Sequence, residues 1–172
     1  MITVAGGDSF IFGSELKDCP DGRPDSYSRR TFAALLSGSK YFCSAYPGYS
    51  NSEIADSLKR KLEDIPGQPF VIVCWTWPTR DRLHTSPKVI SEFQRYCEFQ
   101  GLPYMFTCAD NCLIPLLDNI NDNWFLFPPA EEEWNTTTPR GFYQWAVENK
   151  YSIGPDNHPL EEAHQAAAKL MQ

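Results

Sequence analysis

The residues with the clearest chemical potential follow the first apolar run, in the stretch VAGGDSFIFG at 4–13. Two glycines, an aspartate and a serine interrupt this run, and apolar residues resume directly after them. A tight turn would explain the glycines, and Gly-Asp-Ser also suits a turn or a helix N-cap. A catalytic nucleophile would explain the serine, because its hydroxyl can attack a carbonyl carbon when a base is within reach. The stretch alone leaves both interpretations open.

Apolar runs alternate with helical patterns along the rest of the chain. The run PFVIVCWTW at 69–77 is apolar on both faces, which is typical of a central parallel strand covered by helices. A Ser50–Glu53 capping box predicts a helix start, and Ser86 is predicted to cap a later helix. We predict strands at 2–6, 40–46, 69–77 and 102–108, and helices at 26–38, 49–65, 86–101, 110–118, from Thr138 onward and at 158–172. The alternation indicates a parallel sheet with helices on both faces.

The residues that end these strands are predicted to meet. Ligands of α/β sheets bind outside the carboxyl ends of the strands. Gly7, Asp8 and Ser9 follow the first predicted strand, Gly48 follows the second, and the segment 76–82 follows the central one. We therefore expect the three segments to converge in space.

Composition indicates a globular chain and argues against two classes of partner. The 172 residues are 42% hydrophobic and 22% charged, which suits a chain with its own core. The net charge is −7, and the basic cluster at 59–61 fits a solvated helix face, so no nucleic-acid partner is expected. No apolar run approaches the roughly 20 residues of a membrane span, and the N-terminus does not read as a signal peptide. We therefore expect no membrane partner either.

The six cysteines are interpreted as free thiols. The chain is long enough to fold without disulfides, so a cytoplasmic location in the producing or infected cell is predicted. Cys74 lies in an apolar run and should behave as a small core residue. The spacing of Cys108 and Cys112 is by itself a weak metal signal. No metal and no cofactor are expected.

Three blocks of the sequence together resemble the SGNH, or GDSL-type, hydrolases. They are GGDSFIFG at 6–13, YPGYSN at 46–51 and DNHPLEEAH at 156–164, in the family's order over nearly the whole chain. Within that family the blocks are most similar to small SGNH-like proteins of tailed bacteriophages. The resemblance implies a single domain over 1–172, built as a three-layer α/β/α sandwich with a mostly parallel, flavodoxin-like five-stranded sheet. It also implies an activity on acyl esters.

The resemblance implies catalytic roles for three residues. Ser9 would be the nucleophile, His158 the base that accepts its proton, and Asp156 the carboxylate that orients the imidazole. The position of His158 just before a helix N-terminus favours a neutral imidazole. The family places its aspartate three residues before the histidine, where this chain has Pro155. Asp156 stands one residue closer, and a turn residue is the alternative interpretation.

The resemblance further implies an oxyanion hole of two backbone N–H groups and one asparagine side chain. Ser9 and Gly48 match the two backbone positions. No asparagine follows the central strand, where the chain reads CWTWPTRDR, so Asn51 is the nearest candidate amide. Its alternative role is to cap the helix that begins there. Thr76 and Arg80 are the further candidate donors.

Four residues are predicted to contribute to substrate binding: Asp8, Thr76, Trp77 and Arg80. Arg80 would bind an anionic group of the substrate or pair with an acid of the chain. Trp77 is the aromatic residue expected to line the site, although most aromatic clusters are core. Asp8 would also hold the serine turn by accepting hydrogen bonds from nearby backbone N–H groups.

The remaining histidines and one segment receive structural interpretations. His164 lies inside the last predicted helix and is interpreted as a packing or capping residue. His84 is interpreted as a solvated loop residue. The region 119–137 mixes aromatic residues, prolines and acids, and is predicted to form a long loop or flap.

Two functions of different classes follow from these patterns. The first is a serine hydrolase that cleaves ester bonds of a small molecule or glycan, including O-acetyl groups on a carbohydrate. The second is a catalytically weak or inactive binding or virion-associated protein on the same scaffold, because the third-block asparagine is absent. A flavodoxin-like cofactor binder fits less well, because DSFIFGS is poor in the residues of a phosphate-binding turn.

Overall fold

The computed structural model describes residues 2–19, 26–38, 40–81, 85–130 and 138–172. The strands are β1 (Ile2–Gly6), β2 (Lys40–Cys43), β3 (Phe70–Trp75) and β4 (Tyr104–Cys108). The helices are α1 (Ser9–Phe12), α2 (Phe32–Leu36), α3 (Asn51–Glu63), α4 (Thr85–Phe99), α5 (Phe142–Glu148) and α6 (Glu161–Leu170). Two 3₁₀ helices span Pro78–Arg80 and Asn111–Leu116.

The four strands form a parallel sheet in the order β2-β1-β3-β4. Side chains of β3 alternate between the two faces of this sheet. Val71 and Val73 pack with residues of α3 and α4, whereas Ile72 and Cys74 pack with residues of α1, α2, α5 and α6. Helices therefore cover both faces, which explains the uninterrupted apolar run. The predicted α/β/α sandwich and the core position of Cys74 are confirmed.

The predicted fifth strand is reduced to one bridge in the part of the chain that the structure describes. Trp124 forms a parallel bridge with Phe106 at the outer edge of β4. The backbone of Phe106 exchanges hydrogen bonds with Asn123 and Phe125 at 2.9 and 2.8 Å. Pro128 and Pro129 follow soon afterwards, and proline has no N–H with which to extend a ladder.

The predicted helix over 26–38 is shorter than its pattern suggested, because only Phe32–Leu36 is helical. The residues before it are held by Asp18, which accepts hydrogen bonds from the Ser28 hydroxyl and the Arg29 N–H. Thr31 then caps the helix through its hydroxyl. Side-chain bonds to a distant acid compete with helix formation in this segment.

N-caps are predicted for both helices that flank β3, and one of these predictions is confirmed while the other is wrong. The Ser50–Glu53 capping box at the start of α3 is confirmed. Ser86 does not cap its helix, because α4 begins at Thr85 and the Ser86 hydroxyl donates to Asp81. His84 and the segment 131–137 of the predicted flap lie outside the described residues.

His164 on α6 is both a packing residue and a cap, as its interpretation anticipated. Its ring is 1% exposed and stacks on Phe32. Its Nδ1 accepts a hydrogen bond of 3.1 Å from the N–H of Phe32, the first residue of α2. Burial, together with the nearby His158, lowers the pKa of His164 from 6.5 to about 3. The imidazole is therefore neutral.

The cysteines and the lengths of the helices bear on two further expectations, which concern disulfides and membrane spans. All six cysteines lie in the described ranges, and none of them forms a disulfide. None of the helices in the described ranges is both long and apolar enough to cross a membrane.

Candidate active site

The nucleophile candidate Ser9 is placed by a sharp connection between β1 and the single turn of α1. Asp8 is the N-cap of α1, and its Oδ1 accepts a hydrogen bond of 3.0 Å from the N–H of Phe10. A Cβ on Gly7 would lie 2.6 Å from the side chain of Ile11, so only glycine fits at this position. The glycine therefore permits this close contact, and the serine stands at the first position of the helix, where it is 6% exposed.

Asp8 supports this connection from beneath and is unavailable to a substrate. Its buried Oδ2 accepts hydrogen bonds from the Thr76 hydroxyl at 2.6 Å and from Arg80 Nη1 at 3.0 Å. Thr76 is also fully buried. The prediction that Asp8 and Thr76 contact substrate is therefore wrong, because their side chains bond to each other inside the protein. The predicted bond from Asp8 to a nearby backbone N–H is present.

Arg80 pairs with an acid, which was the second of its two predicted roles. Besides Asp8, its Nη1 donates to the carbonyl oxygen of Tyr49 at 3.2 Å. Its guanidinium carbon lies 5.2 Å from the ring centre of Trp77. Trp77 in turn packs edge-to-face on Phe10 at 5.5 Å. Arg80 and Trp77 thus support the turn that carries Ser9, and their part in substrate binding stays a prediction.

Asn51 is a structural residue and does not face the oxyanion position. Its amide is fully buried, and Oδ1 accepts a hydrogen bond of 2.8 Å from the N–H of Thr76. Its Nδ2 donates to the Thr76 carbonyl at 3.1 Å and to the Ser86 hydroxyl at 3.0 Å. The amide therefore ties the start of α3 to the end of β3, and the predicted oxyanion role is wrong. The capping alternative is also wrong, because the N-cap is Ser50.

The role of Asn51 predicts a defect in stability. We expect Asn51→Ala to lower the free energy of unfolding by about 2–4 kcal/mol, because it leaves buried backbone groups of Thr76 without partners. Urea denaturation measures this value, and the exposed Asn119→Ala is the control, expected within about 0.5 kcal/mol of wild type. Unchanged stability combined with lost activity would restore the oxyanion role.

Three distant segments of the chain meet around one cavity, and two of them are strand-end segments that were expected to converge. The described part of the segment 76–82 does not belong to the lining and instead contacts Asp8 through Thr76 and Arg80. The cavity has a volume of about 460 Å³ and is lined by Ser9, Ser14, Glu15, Cys19, Pro47, Gly48, Asp156 and His158. Gly48 has a φ of +85°, a conformation that favours glycine. The first, second and third sequence blocks therefore each contribute residues to the same wall.

The partner of His158 is Glu15, and the prediction that Asp156 orients the imidazole is wrong. His158 Nδ1 lies 2.6 Å from Glu15 Oε2. Asp156 contributes its backbone N–H, which lies 3.1 and 3.2 Å from the two carboxylate oxygens of Glu15, while its own side chain is exposed. Burial would raise the pKa of Glu15, but the hydrogen bonds and charge of His158 and the Asp156 N–H lower it below its usual value. Glu15 is therefore a carboxylate at neutral pH.

Comparisons with known proteins support the fold. No family model matches the chain, and no curated protein matches its sequence. One similar solved structure is described as a "putative lipolytic protein of G-D-S-L family" from Desulfitobacterium hafniense DCB-2. It has a TM-score of 0.56 and 14% sequence identity, over 98% of this chain and 96% of that one. The chain therefore has the fold of a GDSL-type protein.

Proposed function

We propose that this protein is a serine hydrolase that cleaves ester bonds, an esterase or deacylase. The observation that carries the proposal is the common cavity of Ser9, Gly48 and His158, in which the imidazole is bonded to a carboxylate. These are the parts that acyl transfer needs: a nucleophile, an oriented base and a backbone donor. The fold of a GDSL-type protein adds support. Covalent labelling by a fluorophosphonate probe, and its loss in Ser9→Ala, is the test.

The proton transfers follow from the tautomer of His158. A carboxylate only accepts hydrogen bonds, so Nδ1 carries the proton shared with Glu15 and Nε2 holds the free lone pair. Ser9 Oγ attacks the ester carbonyl while Nε2 takes its proton. The intermediate collapses to an acyl-serine as His158 returns that proton to the leaving alcohol. Water then attacks the acyl-serine by the same route and releases the acid.

Backbone groups are the proposed donors to the oxyanion. The N–H of Ser9 belongs to the first turn of α1, where backbone N–H groups have no acceptor within the helix. Gly48 lines the same cavity, and its N–H is the second proposed donor. Donors fixed by the backbone need no reorganisation as charge develops on the carbonyl oxygen.

The charges in the cavity favour a neutral ester. Glu15 and Asp156 are acidic, and no lysine or arginine occurs among the described residues of the lining. Arg80, the candidate for an anionic group, is held by Asp8. We therefore propose small neutral acyl groups, including O-acetyl groups on a carbohydrate, as substrates.

This proposal predicts discrimination by charge. We expect kcat/KM for 4-nitrophenyl acetate to exceed that for 4-nitrophenyl hemisuccinate by at least about tenfold, which corresponds to roughly 1.4 kcal/mol of like-charge repulsion. The neutral 4-nitrophenyl butyrate is the control for chain length. Equal or faster hydrolysis of the hemisuccinate would contradict a neutral-ester site.

A second candidate function is a catalytically weak or inactive binding or virion-associated protein. The observation that favours it is the internal bonding of Asn51, Thr76 and Arg80, the three candidate side-chain donors to the oxyanion. Loss of one such donor lowers kcat by about 10²- to 10³-fold. This function predicts that Ser9→Ala retains the biological role in a complementation assay, whereas a null phenotype would argue against it.

We also propose the biological setting that the sequence suggests. The likeness of the blocks to those of tailed-bacteriophage proteins supports a phage origin, and cysteines that form no disulfides support the cytoplasm of the producing or infected cell. A single domain over 1–172, a small-molecule or glycan ester as ligand, and no nucleic-acid or membrane partner complete the proposal.

A further inference from the structure

We infer that Glu15 is the positioning carboxylate of this site and replaces the aspartate that the sequence pattern places beside His158. The inference rests on the proposed roles of Ser9 and His158. The side chains of Glu15 and His158 are each 15% exposed, and 2.6 Å separates Oε2 from Nδ1. Asp156 is exposed and donates to Glu15 through its backbone. The acid thus comes from the segment that follows the nucleophile.

The Glu15 carboxylate is held by several donors at once. Oε2 accepts from His158 Nδ1, from the His158 N–H at 3.4 Å and from the Asp156 N–H at 3.1 Å. Oε1 accepts a second contact from the Asp156 N–H at 3.2 Å. A carboxylate with this many donors stays ionised and fixed in orientation. It can therefore set both the tautomer and the direction of the imidazole.

The loop that carries His158 is shaped to present these donors. Ile153 and Pro159 form an antiparallel bridge that closes the loop. Inside it, the Gly154 N–H donates to the His158 carbonyl at 2.8 Å, and the Asn157 N–H donates to the Gly154 carbonyl at 3.0 Å. Asn157 has a φ of +64°. This tight turn leaves the N–H groups of Asp156 and His158 pointing at Glu15.

Gly154 provides the space that the carboxylate occupies. A Cβ at this position would lie 2.6 Å from Glu15 Cδ and 2.6 Å from Oε2. Carbon atoms do not approach that closely, so any larger residue would displace the carboxylate or the loop. The glycine is therefore matched to the glutamate, 139 positions earlier in the chain.

The backbone of Glu15 has an unusual conformation, with a positive φ. Its φ is +67°, which a residue with a side chain rarely adopts. The surrounding contacts hold it there: the Leu16 N–H donates to the Gly13 carbonyl at 3.1 Å, and the Lys17 N–H donates to Glu161 Oε1 at 2.8 Å. Strain of this kind persists only where neighbouring structure enforces it, and it clusters at functional sites.

The test compares Glu15→Gln with Asp156→Asn in the full chain. For Glu15→Gln we expect kcat on 4-nitrophenyl acetate to fall by about 10²- to 10⁴-fold with KM little changed, because an amide stabilises the wrong imidazole tautomer. Asp156→Asn should lose far less activity than Glu15→Gln, because its side chain is exposed and its backbone donor to Glu15 remains. Nitrogen-15 NMR of His158 provides a readout independent of turnover, with the Nδ1–H tautomer lost in Glu15→Gln and kept in Asp156→Asn.

Substitution of two glycines provides a second comparison. Gly154→Ala should reproduce the kinetic loss of Glu15→Gln, whereas Gly38→Ala should not, because a Cβ at Gly38 meets no described atom within 4 Å. The double variant Gly154→Ala/Glu15→Gln should lose no more than Glu15→Gln alone, since both remove the same interaction.

The possible outcomes separate this inference from the proposed function. Wild-type kinetics in Glu15→Gln together with a loss in Asp156→Asn would overturn the inference and leave the hydrolase proposal standing. Absence of Ser9-dependent labelling in the wild type would overturn the hydrolase proposal. In that case the NMR comparison still tests the positioning role of Glu15. An unchanged His158 tautomer in Glu15→Gln overturns this role, and loss of the Nδ1–H tautomer in Glu15→Gln but not in Asp156→Asn supports it.

Discussion

We expect Ser9→Ala to abolish both ester hydrolysis and labelling by a fluorophosphonate probe, while the protein remains folded. We expect kcat to fall by at least about 10³-fold, because the variant has no hydroxyl to form the acyl intermediate. Little structural change is expected, since the cap of α1 belongs to Asp8 and its hydrogen bond to the Phe10 N–H remains. Turnover of 4-nitrophenyl acetate, probe labelling and the circular dichroism spectrum measure the result.

Ser14→Ala is the matched control for this experiment. Ser14 lines the same cavity, so its variant tests whether any hydroxyl there reacts with the probe. We expect its activity to lie within a few-fold of wild type, because its hydroxyl has no assigned part in the chemistry. Labelling that persists in Ser9→Ala, or disappears in Ser14→Ala, would contradict Ser9 as the nucleophile.

The fold could be predicted from the sequence because its main signals are local. The run 69–77 is apolar at every strand position, and β3 is covered on both faces. The capping box of α3 lies within four consecutive residues. The fifth strand that the resemblance implies is reduced to a single bridge between Trp124 and Phe106, because its length is set by its pairing partner. Strand pairing depends on residues that no local pattern identifies.

The sequence predicts which segments of the chain lie together at the site, but it does not predict which side chains bond to each other there. Ser9, Gly48 and His158 line one cavity, as the resemblance of the three sequence blocks implied. Asn51 and Thr76 lie near these segments in the sequence, which favours them as donors to the site. Their side chains instead bond to groups 25 and 68 residues away along the chain, inside the protein. Sequence proximity gives no information on the direction in which a side chain points.

Glu15 was missed because nothing near it in the sequence marks its role. It lies six residues after the nucleophile candidate and 143 residues before its partner His158. The one sequence signal for such a role is that Glu15 is an acid in the segment after the first strand, where ligand-binding residues of α/β sheets lie. Its match with Gly154 becomes visible only in the structure, where a Cβ added to Gly154 would lie 2.6 Å from the Glu15 carboxylate.

His164 should make the protein less stable as the pH falls below neutrality. Its pKa of about 3 in the folded chain lies below the usual 6.5, so the unfolded chain binds the extra proton more readily. The stabilisation is therefore complete above pH 6.5 and is lost progressively as the pH falls toward 3. We expect the free energy of unfolding to drop by about 2–3 kcal/mol between pH 6.5 and 4.5, since one pKa unit corresponds to roughly 1.4 kcal/mol.

Urea denaturation at several pH values, for wild type and His164→Asn, measures this effect. The asparagine oxygen can still accept the Phe32 N–H in place of Nδ1, but it cannot be protonated in this range. The variant should therefore have a flatter pH dependence between 6.5 and 4.5, even if its stability at pH 8 is lower. Equal slopes for the two proteins would mean that acid destabilisation arises elsewhere, and that a proton at His164 is tolerated despite its complete burial between Phe32 and Phe142.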